Sequence, residues 1–218
     1  MRIAVFGATG RTGHPLVEQA VERGHEVVAF ARDATGLSST IRNDDRISVV
    51  EGDAYIGEGV ERAIAGDGDP VDAVVGVLAQ TSEGPNDLLT EAGRRMLVAM
   101  DQHGAERFVT LVGVGVREED ESVNLGGQVI GVLSKLLARS VLEDARDQVE
   151  LLRASDTRWT VVRGPRLTEG AHSGEFRHGT DLTLGMRDTA VRTNVAEVIL
   201  DCLEDDLYVH GMPEIANA

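Results

Sequence analysis

The sequence predicts an α/β fold in which helices cover both faces of a doubly wound, mainly parallel sheet, a three-layer αβα arrangement. Three observations lead to this fold class. Short apolar runs alternate with helix-patterned segments, a glycine-rich turn joins the first such pair, and no linker or low-complexity stretch interrupts the alternation over 218 residues. Such alternation produces right-handed βαβ crossovers. We therefore expect a single domain over residues 1–218, with residues 164–190 forming a flap over the carboxyl edge of the sheet.

Apolar runs bounded by glycine or polar residues predict the strands. Six of them follow one another along the chain, at Arg2–Phe6, Glu26–Ala31, Ile47–Glu51, Val71–Leu78, Phe108–Val114 and Trp159–Arg163. A last short strand is expected at Leu207–His210.

Apolar residues at helical spacing predict the intervening helices. The first helix runs from His14 to Arg23 and is closed by Gly24. The later helices are expected at about Ile56–Ala65, Asn86–His103, Gly127–Arg153 in two segments, and Val195–Leu203, with Asn194 as the N-cap of the last.

The segment GATGRTG, between the first strand and the first helix, predicts a loop that binds the phosphates of a dinucleotide. In a doubly wound sheet, ligands bind at the carboxyl ends of the strands, beside the first crossover. There Gly7 permits the tight turn, Gly10 lets the backbone approach a pyrophosphate, and Gly13 allows the helix to pack closely on the strand. The helix N-terminus offers free N–H groups, and Thr9 and Thr12 add hydroxyl donors. A tight turn without a ligand is the alternative for such a loop.

The residue after the second strand favours NADP(H) over NAD(H). Folds that prefer NAD place an acidic side chain there for the ribose 2′-OH, whereas this sequence has Arg32, whose guanidinium suits a 2′-phosphate. Arg11, inside the glycine loop, is placed to assist. Asp33 leaves an alternative open, because its carboxylate could take the ribose in an NAD-binding protein. We expect it instead to cap the turn toward Thr35 and Gly36.

The segments GATGRTG and RGHEV resemble the atypical, NmrA-like branch of the short-chain dehydrogenase/reductase superfamily. This branch includes NAD(P)H-binding proteins related to flavin reductase and biliverdin reductase B. Four later segments resemble motifs of the branch in the same order, with Asn194 where the branch has Asp: EGDAYIGEGVERAIAG, GRRMLVAMDQHGAERFVTLVGVGV, RASDTRWTVVRGPRLTEG and RTNVAEVILDCLED. The resemblance implies a Rossmann-like fold that binds NAD(P)H.

The resemblance also implies that Asp53, after the third strand, holds the adenine amino group. An Asx turn beside Gly52 is the alternative role for this aspartate. Three further residues at or just beyond strand ends complete the predicted cofactor site: Ala54, Leu78 and Gly113.

The catalytic pair of most reductases in this superfamily is absent. They use a Tyr-x-x-x-Lys pair and a serine, in which the lysine lowers the pKa of the tyrosine so that the phenol relays a proton. The chain has two tyrosines, Tyr55 and Tyr208, and neither has a lysine four residues later. Val112 and Gly113 stand where the serines of the superfamily fall. We therefore assign no catalytic residue.

Hydride transfer does not require that pair, because the nicotinamide carries the chemistry and a flavin or quinone can take its proton from water. Gly113 and Gly115 would leave room for a planar ring. The resemblance puts Arg166 where the biliverdin and flavin reductases keep a pocket histidine, with His172 on the following flap. The sequence thus predicts an NADP(H)-preferring reductase of a flavin, quinone or similar planar acceptor.

Two other functions stay open. A redox sensor of the NmrA type would bind the dinucleotide without turnover and report to a protein partner, and the missing tyrosine, lysine and serine favour this function. An epimerase or dehydratase is disfavoured, because the chain lacks the proton-relay tyrosine and a substrate domain.

Composition argues against several partners and sites. Asp and Glu number 37 against 21 Lys and Arg, a net charge of −16, which argues against nucleic acid and anionic membranes. No apolar run approaches the ~20 residues of a membrane span, and no signal-peptide pattern opens the chain, so a cytoplasmic location is expected. Cys202 is the one cysteine, and the six histidines lack ligand spacing, so no metal site is predicted. The EEDE run at 118–121 indicates a solvated loop.

The acid excess comes with a single lysine, Lys135, which indicates adaptation to a salt-rich cytoplasm where screening relieves self-repulsion. An arginine bias from a GC-rich genome is the alternative. The midpoint of thermal unfolding, followed by circular dichroism, should therefore rise markedly between low and molar KCl. A midpoint that does not change with KCl would instead indicate that the arginine bias reflects genome composition.

Overall fold

A computed structural model describes residues 1–66, 68–80, 84–116, 135–171, 174–185 and 187–218. The strands are β1 (Arg2–Phe6), β2 (Glu26–Ala31), β3 (Ile47–Glu51), β4 (Ala73–Gly76), β5 (Arg107–Gly113), β6 (Arg158–Gly164), β7 (Arg166–Thr168), β8 (Phe176–Gly179), β9 (Thr189–Val191) and β10 (Glu214–Asn217). The helices are α1 (Gly13–Glu22), α2 (Ser39–Arg42), α3 (Val60–Ala65), α4 (Leu88–His103), α5 (Lys135–Arg153) and α6 (Arg192–Glu204), with a short 3-10 turn at Ala34–Gly36.

Eight of these strands form one sheet in the order β3-β2-β1-β4-β5-β6-β10-β8. β1 to β6 and β10 run parallel, and β8 runs antiparallel to β10 at one edge. The strand order reverses at β1, which lies between β2 and β4, and such a reversal opens a crevice at the carboxyl ends of the strands. The predicted fold class, a mainly parallel doubly wound sheet, is confirmed.

Alternate strand residues pack against helices on opposite faces of the sheet. In β1, Ala4 and Phe6 belong to an apolar cluster with α3, α4 and α5, whereas Ile3 and Val5 belong to a cluster with α1 and α6. Because both faces are covered, β1, β2 and β4 are buried along almost their whole length, as is usual for parallel sheets.

The third helix is shorter than predicted. α3 begins at Val60 rather than Ile56, because Gly57 and Gly59 adopt positive φ angles of 84° and 75°. That conformation does not fit inside a right-handed helix, so residues 54–59 form turns before the helix starts.

The strand predicted at Leu207–His210 is wrong. This segment is a turn, in which Asp206, Tyr208 and His210 take positive φ angles of 52°, 53° and 60°, incompatible with an extended strand. The carbonyl of Tyr208 accepts from Gly211 N at 2.8 Å, which closes the turn, and from Thr160 Oγ1 at 2.9 Å. The last strand of the sheet is β10.

The predicted cap of the last helix is also wrong. α6 begins at Arg192, with Val191 in the N-cap position, and Asn194 is fully buried inside the first turn. The helix starts earlier than expected because β9 runs into it without an intervening loop.

Residues 164–190, expected as a flap, divide into two structural parts. β7 and β9 pair in parallel as a two-stranded ribbon outside the main sheet, and this ribbon starts at the carboxyl end of β6. β8, which lies between them in the chain, instead extends the main sheet by pairing with β10.

The guanidinium group of Arg107, at the start of β5, joins four elements at the end of the sheet opposite the crevice. The residue is 3% exposed. Its Nη2 donates to Thr160 Oγ1 at 2.8 Å, to Cys202 O in the last turn of α6 at 2.8 Å, and to Leu207 O at 3.2 Å. Its Nη1 donates to the carbonyl of Arg158 in β6. Burial lowers the pKa of Arg107, whereas these acceptors and Asp206, whose Oδ1 lies 3.8 Å from Nε, stabilise the charged guanidinium.

Arg107→Met should keep most of the buried stem but remove the side-chain donor of the Cys202 carbonyl and leave the Leu207 carbonyl with only Thr160 Oγ1, 3.3 Å away. Unsatisfied buried groups are costly, and we expect a loss of about 2–4 kcal/mol in the free energy of unfolding, measured by urea denaturation. Arg139→Met removes an exposed arginine that pairs with Glu143 and should leave the urea midpoint unchanged. Equal midpoints for the two variants would contradict this role for Arg107.

Candidate functional site

A cavity of about 500 Å³ lies at the carboxyl edge of the sheet, in the crevice beside β1. Each of the strands β1 to β6 contributes to its wall a residue at or just beyond its end: Gly7, Arg32, Asp53, Leu78, Gly113 and Gly164. Ten residues of the predicted cofactor site are lining residues: Gly7, Thr9, Gly10, Arg11, Thr12, Arg32, Asp53, Ala54, Leu78 and Gly113.

The glycine loop has the geometry that its spacing predicts. Gly7 has a φ of 96°, and a Cβ atom on it would lie 2.8 Å from the carbonyl oxygen of Val77, just beyond β4. Gly10 N donates to Gly7 O at 2.9 Å, which closes the turn. Gly13 lies beneath the cavity wall, where a Cβ would collide with the carbonyl oxygen of Gly7. The loop therefore requires glycine at the first and third positions for packing alone.

The N-terminus of α1 opens toward this cavity. Thr12 is the N-cap residue, yet its side chain makes no capping hydrogen bond, and the first turn carries no acidic residue. The backbone N–H groups of Arg11, Thr12 and Gly13 have no acceptor among the described residues. Free N–H groups and the positive end of a helix dipole form a site suited to an anion such as a phosphate.

At the end of β2, Arg32 is exposed and lines the cavity, and it makes no hydrogen bond or ion pair with any residue that the structure describes. Asp33 Oδ1 accepts hydrogen bonds from the backbone N–H of Thr35 at 2.8 Å and from its hydroxyl at 2.7 Å. These bonds hold the pKa of Asp33 below its usual value. The expectation that Asp33 caps the turn is confirmed. Of these two neighbours, Arg32 is the residue whose side chain faces the cavity.

Both roles considered for Asp53 are compatible with its position. Its Oδ1 accepts from the backbone N–H of Tyr55 at 2.9 Å, forming an Asx turn, while the residue also lines the cavity. Ala54 is 4% exposed beside it. Tyr55 lines the same wall, and a hydrogen bond to Asp87 raises the pKa of its phenol.

The wall at the ends of β4, β5 and β6 is largely apolar. It is lined by Leu78, Leu88, Leu111, Val112, Val141 and Leu167. Gly113 opens this region, because a Cβ built on it would meet no atom within 4 Å.

Two residues predicted for the substrate pocket are not part of the cavity wall. Gly115 faces α5, where an added Cβ would lie 3.0 Å from Leu142 Cδ1. Arg166 is exposed on β7, and because neighbouring side chains of a strand point to opposite faces, the adjacent Leu167 contacts the cavity instead. His172, the third predicted pocket residue, and the EEDE run lie outside the described residues.

Sequence reasoning missed Arg192, the first residue of α6. Its side chain is 11% exposed, lines the cavity, and pairs through Nη1 with Glu169 Oε1 at 2.9 Å. The same oxygen lies 3.7 Å from Nη1 of Arg11. The guanidinium of Arg11 is thus paired with the segment after β7 rather than standing beside Arg32. No local sequence signal points to Arg192, because its contact with the cavity depends on the way the β7–β9 ribbon folds back.

Ionisable side chains are few in this site. The described lining holds Arg11, Arg32, Arg192, Asp53 and Tyr55, and no Lys, His, Glu or Cys. Across the described part of the chain, no group of three or more His, Cys, Asp or Glu residues is arranged to hold a metal. No described helix has the length and apolarity to cross a bilayer.

Residues 7–206 match a family described as NAD(P)H-binding. The chain belongs to this family. The resemblance drawn from the glycine loop and the later motifs is therefore confirmed at the level of an NAD(P)H-binding fold.

Among proteins related to this NAD(P)H-binding chain in sequence, the uncharacterized protein YwnB of Bacillus subtilis is 25% identical over 183 residues, covering 83% of this chain and 80% of YwnB. The divinyl chlorophyllide a 8-vinyl-reductase of Arabidopsis thaliana is 29% identical over 127 residues. That match covers 54% of this chain but only 30% of the plant reductase.

Solved structures share the fold over nearly the whole chain. ChuY of Escherichia coli O157:H7, described as an anaerobilin reductase, superposes with a TM-score of 0.79 at 17% identity, covering 100% of this chain and 97% of ChuY. A short-chain dehydrogenase/reductase of Veillonella parvula in complex with NADP has a TM-score of 0.75 at 16% identity, covering 98% of this chain and 93% of its own.

Gly10→Val should abolish dinucleotide binding, because its side chain would fill the space between the glycine loop and the helix N-terminus. Even a Cβ here lies 3.0 Å from Gly7 O, so a modest fall in stability should accompany the loss. Titration calorimetry with NADPH and NADH measures the effect. Gly179→Val is the matched control, since its Cβ on β8 would meet no atom within 4 Å. A folded Gly10→Val protein with wild-type affinity would contradict the assignment of the loop.

Proposed function

We propose that this protein is an NADP(H)-preferring reductase that transfers hydride to a flavin, a quinone or a similar planar acceptor. The observation that carries the proposal is the contrast between the two ends of one cavity. One end has the cation Arg32, which has no ion-pair partner among the described residues, and the other has an apolar wall opened by Gly113.

The cofactor would lie along the carboxyl ends of the strands. The free N–H groups between Gly10 and Gly13 would bind its pyrophosphate, and the free carboxylate oxygen of Asp53 would accept from the adenine amino group. Its nicotinamide would lie near Leu78 and Gly113. When bound, the nicotinamide supplies the hydride, and the task of the protein is to orient it and to exclude water around it.

Preference for NADP(H) is supported by the pair Arg32 and Asp33. A guanidinium can bind a 2′-phosphate through two parallel hydrogen bonds, and Arg32 has no competing partner in the described part of the chain. Asp33 is engaged by Thr35, which keeps its carboxylate from the place of the ribose. The related fold from Veillonella parvula, solved with NADP, is consistent with this preference.

The planar acceptor is supported by the shape and chemistry of the far wall. Apolar side chains and an open Gly113 suit a flat conjugated ring, and the described lining of that wall offers no acid–base side chain near neutrality. A flavin or quinone needs none, because water can supply the proton. ChuY and the plant 8-vinyl-reductase, which are named for reduction of anaerobilin and divinyl chlorophyllide, fit the same class of acceptor.

The lack of an acid–base side chain also favours a second candidate, a sensor that binds the dinucleotide without turnover. The deciding experiment measures oxidation of NADPH with FMN, riboflavin and soluble quinones, beside calorimetric binding of NADPH. Turnover with at least one acceptor supports the reductase. Tight binding without turnover on any of them would support the sensor.

Arg32→Ala should erase most of the preference for NADPH with little change in affinity for NADH. The lost charge-assisted contact to the 2′-phosphate is worth about 1.5 kcal/mol or more, roughly a tenfold change in Kd. Calorimetric titration of both nucleotides belongs at the lowest salt that the fold tolerates, since salt screens the contact. Arg139→Ala, on the exposed face of α5, is the control for loss of one positive charge. Equal affinities in the wild type, or tighter NADH, would assign the ribose to Asp33.

A further inference from the structure

One carboxylate, Glu169, joins two arginines at the mouth of the cavity. Its Oε1 lies 2.9 Å from Nη1 of Arg192 and 3.7 Å from Nη1 of Arg11. These two guanidinium groups are the partners of Glu169 among the described residues. Both arginines line the cavity, whereas Glu169 does not.

The two arginines come from fixed parts of the fold. Arg11 directly follows the turn that the Gly10 N–Gly7 O hydrogen bond closes, and Arg192 opens α6. Two hydrogen bonds hold the start of α6: Gln19 Nε2 of α1 donates to Thr193 O at 2.9 Å, and Val191 N donates to Asn217 Oδ1 at 3.0 Å. Glu169 is on the connection after β7. Its side chain is 65% exposed and that of Arg11 is 76% exposed, whereas that of Arg192 is only 11% exposed.

The opposite charges of Glu169 and the two arginines explain why these side chains pair. Two guanidinium groups converge beside the free N–H groups at the start of α1, so the region is strongly attractive to anions. A pyrophosphate carries two negative charges and could accept from both guanidinium groups and from the helix N-terminus together. Glu169 satisfies the two arginines with one carboxylate of the protein itself, but it does not reach the N–H groups of the loop.

We propose that Arg11 and Arg192 form a two-arginine clamp for the pyrophosphate of the dinucleotide, and that Glu169 occupies this clamp as an internal competitor in the free protein. The inference rests on the proposed dinucleotide site. It adds Arg192 of α6 as a residue that binds the pyrophosphate, and Glu169 as a carboxylate that competes with the pyrophosphate. Binding exchanges the Glu169 carboxylate for the pyrophosphate, and Glu169 moves into solvent. Because Glu169 directly follows β7, the exchange also frees the β7–β9 ribbon from its link to the glycine loop.

This competition differs in kind from the discrimination assigned to Arg32. The pyrophosphate is common to NADPH, NADH and ADP-ribose, so changes at the clamp should affect the affinity of all three alike. Changes at Arg32 should affect NADPH alone.

Glu169→Gln keeps an oxygen that Arg192 can bind but removes the competing charge. It should tighten binding of NADPH, NADH and ADP-ribose by about 2- to 5-fold, the range expected from release of a partly exposed ion pair. Arg192→Ala should weaken all three by about 10-fold. In the Arg192→Ala background, the gain from Glu169→Gln should shrink, because the two residues act through one contact.

Glu150→Gln is the matched control. It removes one carboxylate from an exposed ion pair with Arg153, and so reports the general effect of lowering the negative charge of the protein. All affinities are measured by calorimetry at one low salt concentration.

Unchanged or weaker binding in Glu169→Gln, with wild-type binding of the dinucleotides intact, would overturn the competition and leave the proposed function standing. Equal gains in Glu169→Gln and Glu150→Gln would overturn it as well, since the effect would then be one of net charge. A wild-type protein that binds none of the three nucleotides would overturn both this inference and the proposed function.

Discussion

The close approach of Gly7 to the chain beyond β4 is the constraint on which the site depends. With a φ of 96° and the carbonyl of Val77 within 2.8 Å of a would-be Cβ, this position admits glycine alone without a shift of the backbone. The tight turn lets α1 start directly above the end of β1, with Gly13 against the carbonyl of Gly7. The N–H groups of Arg11, Thr12 and Gly13, which have no acceptor among the described residues, then lie beside the crevice between β1 and β4. A packing requirement thus also shapes the proposed anion site.

The charge of the cavity lining is opposite in sign to the net charge of the chain. The chain carries a net charge of −16, yet the described charged residues that line the cavity are three arginines and one aspartate. A positive cleft in an acidic surface concentrates an anionic ligand at one place and leaves the remainder of the surface repulsive to it. Three acidic residues at or beside the cleft are held by local partners: Asp53 by the backbone N–H of Tyr55, Asp33 by Thr35, and Glu169 by the two arginines. In the proposed function, selectivity for a phosphorylated ligand follows from the positions of these three arginines.

Sequence patterns were sufficient for the strands β1 to β6 and for most of the cavity wall, because both depend on local signals. Apolar runs predicted the positions of β1, β2 and β3. Because the carboxyl ends of parallel strands meet at one edge of a sheet, the sequence also predicted that Arg32, Asp53 and Leu78 lie close together. The prediction errors arise where contacts between residues distant in sequence determine the local structure. The turn at residues 207–210 is set by Thr160 and Arg107, distant in sequence, and the start of α6 is set by β9. Arg192 belongs to the site only because the ribbon folds back, and no local pattern encodes that.

The position of β10 has a consequence for the order in which the chain can fold during synthesis. β8 precedes β10 in the chain but joins the sheet only through it, since β10 pairs with β6 on one side and with β8 on the other. Until residues 214–217 leave the ribosome, β8 has no strand to pair with and the carboxyl half of the sheet ends at β6. In the amino-terminal half, the strands β1 to β4 can pair with all of their neighbouring strands much earlier in synthesis. The glycine loop can therefore form on a nascent chain whose other sheet edge is still open, and completion of the sheet waits for β10.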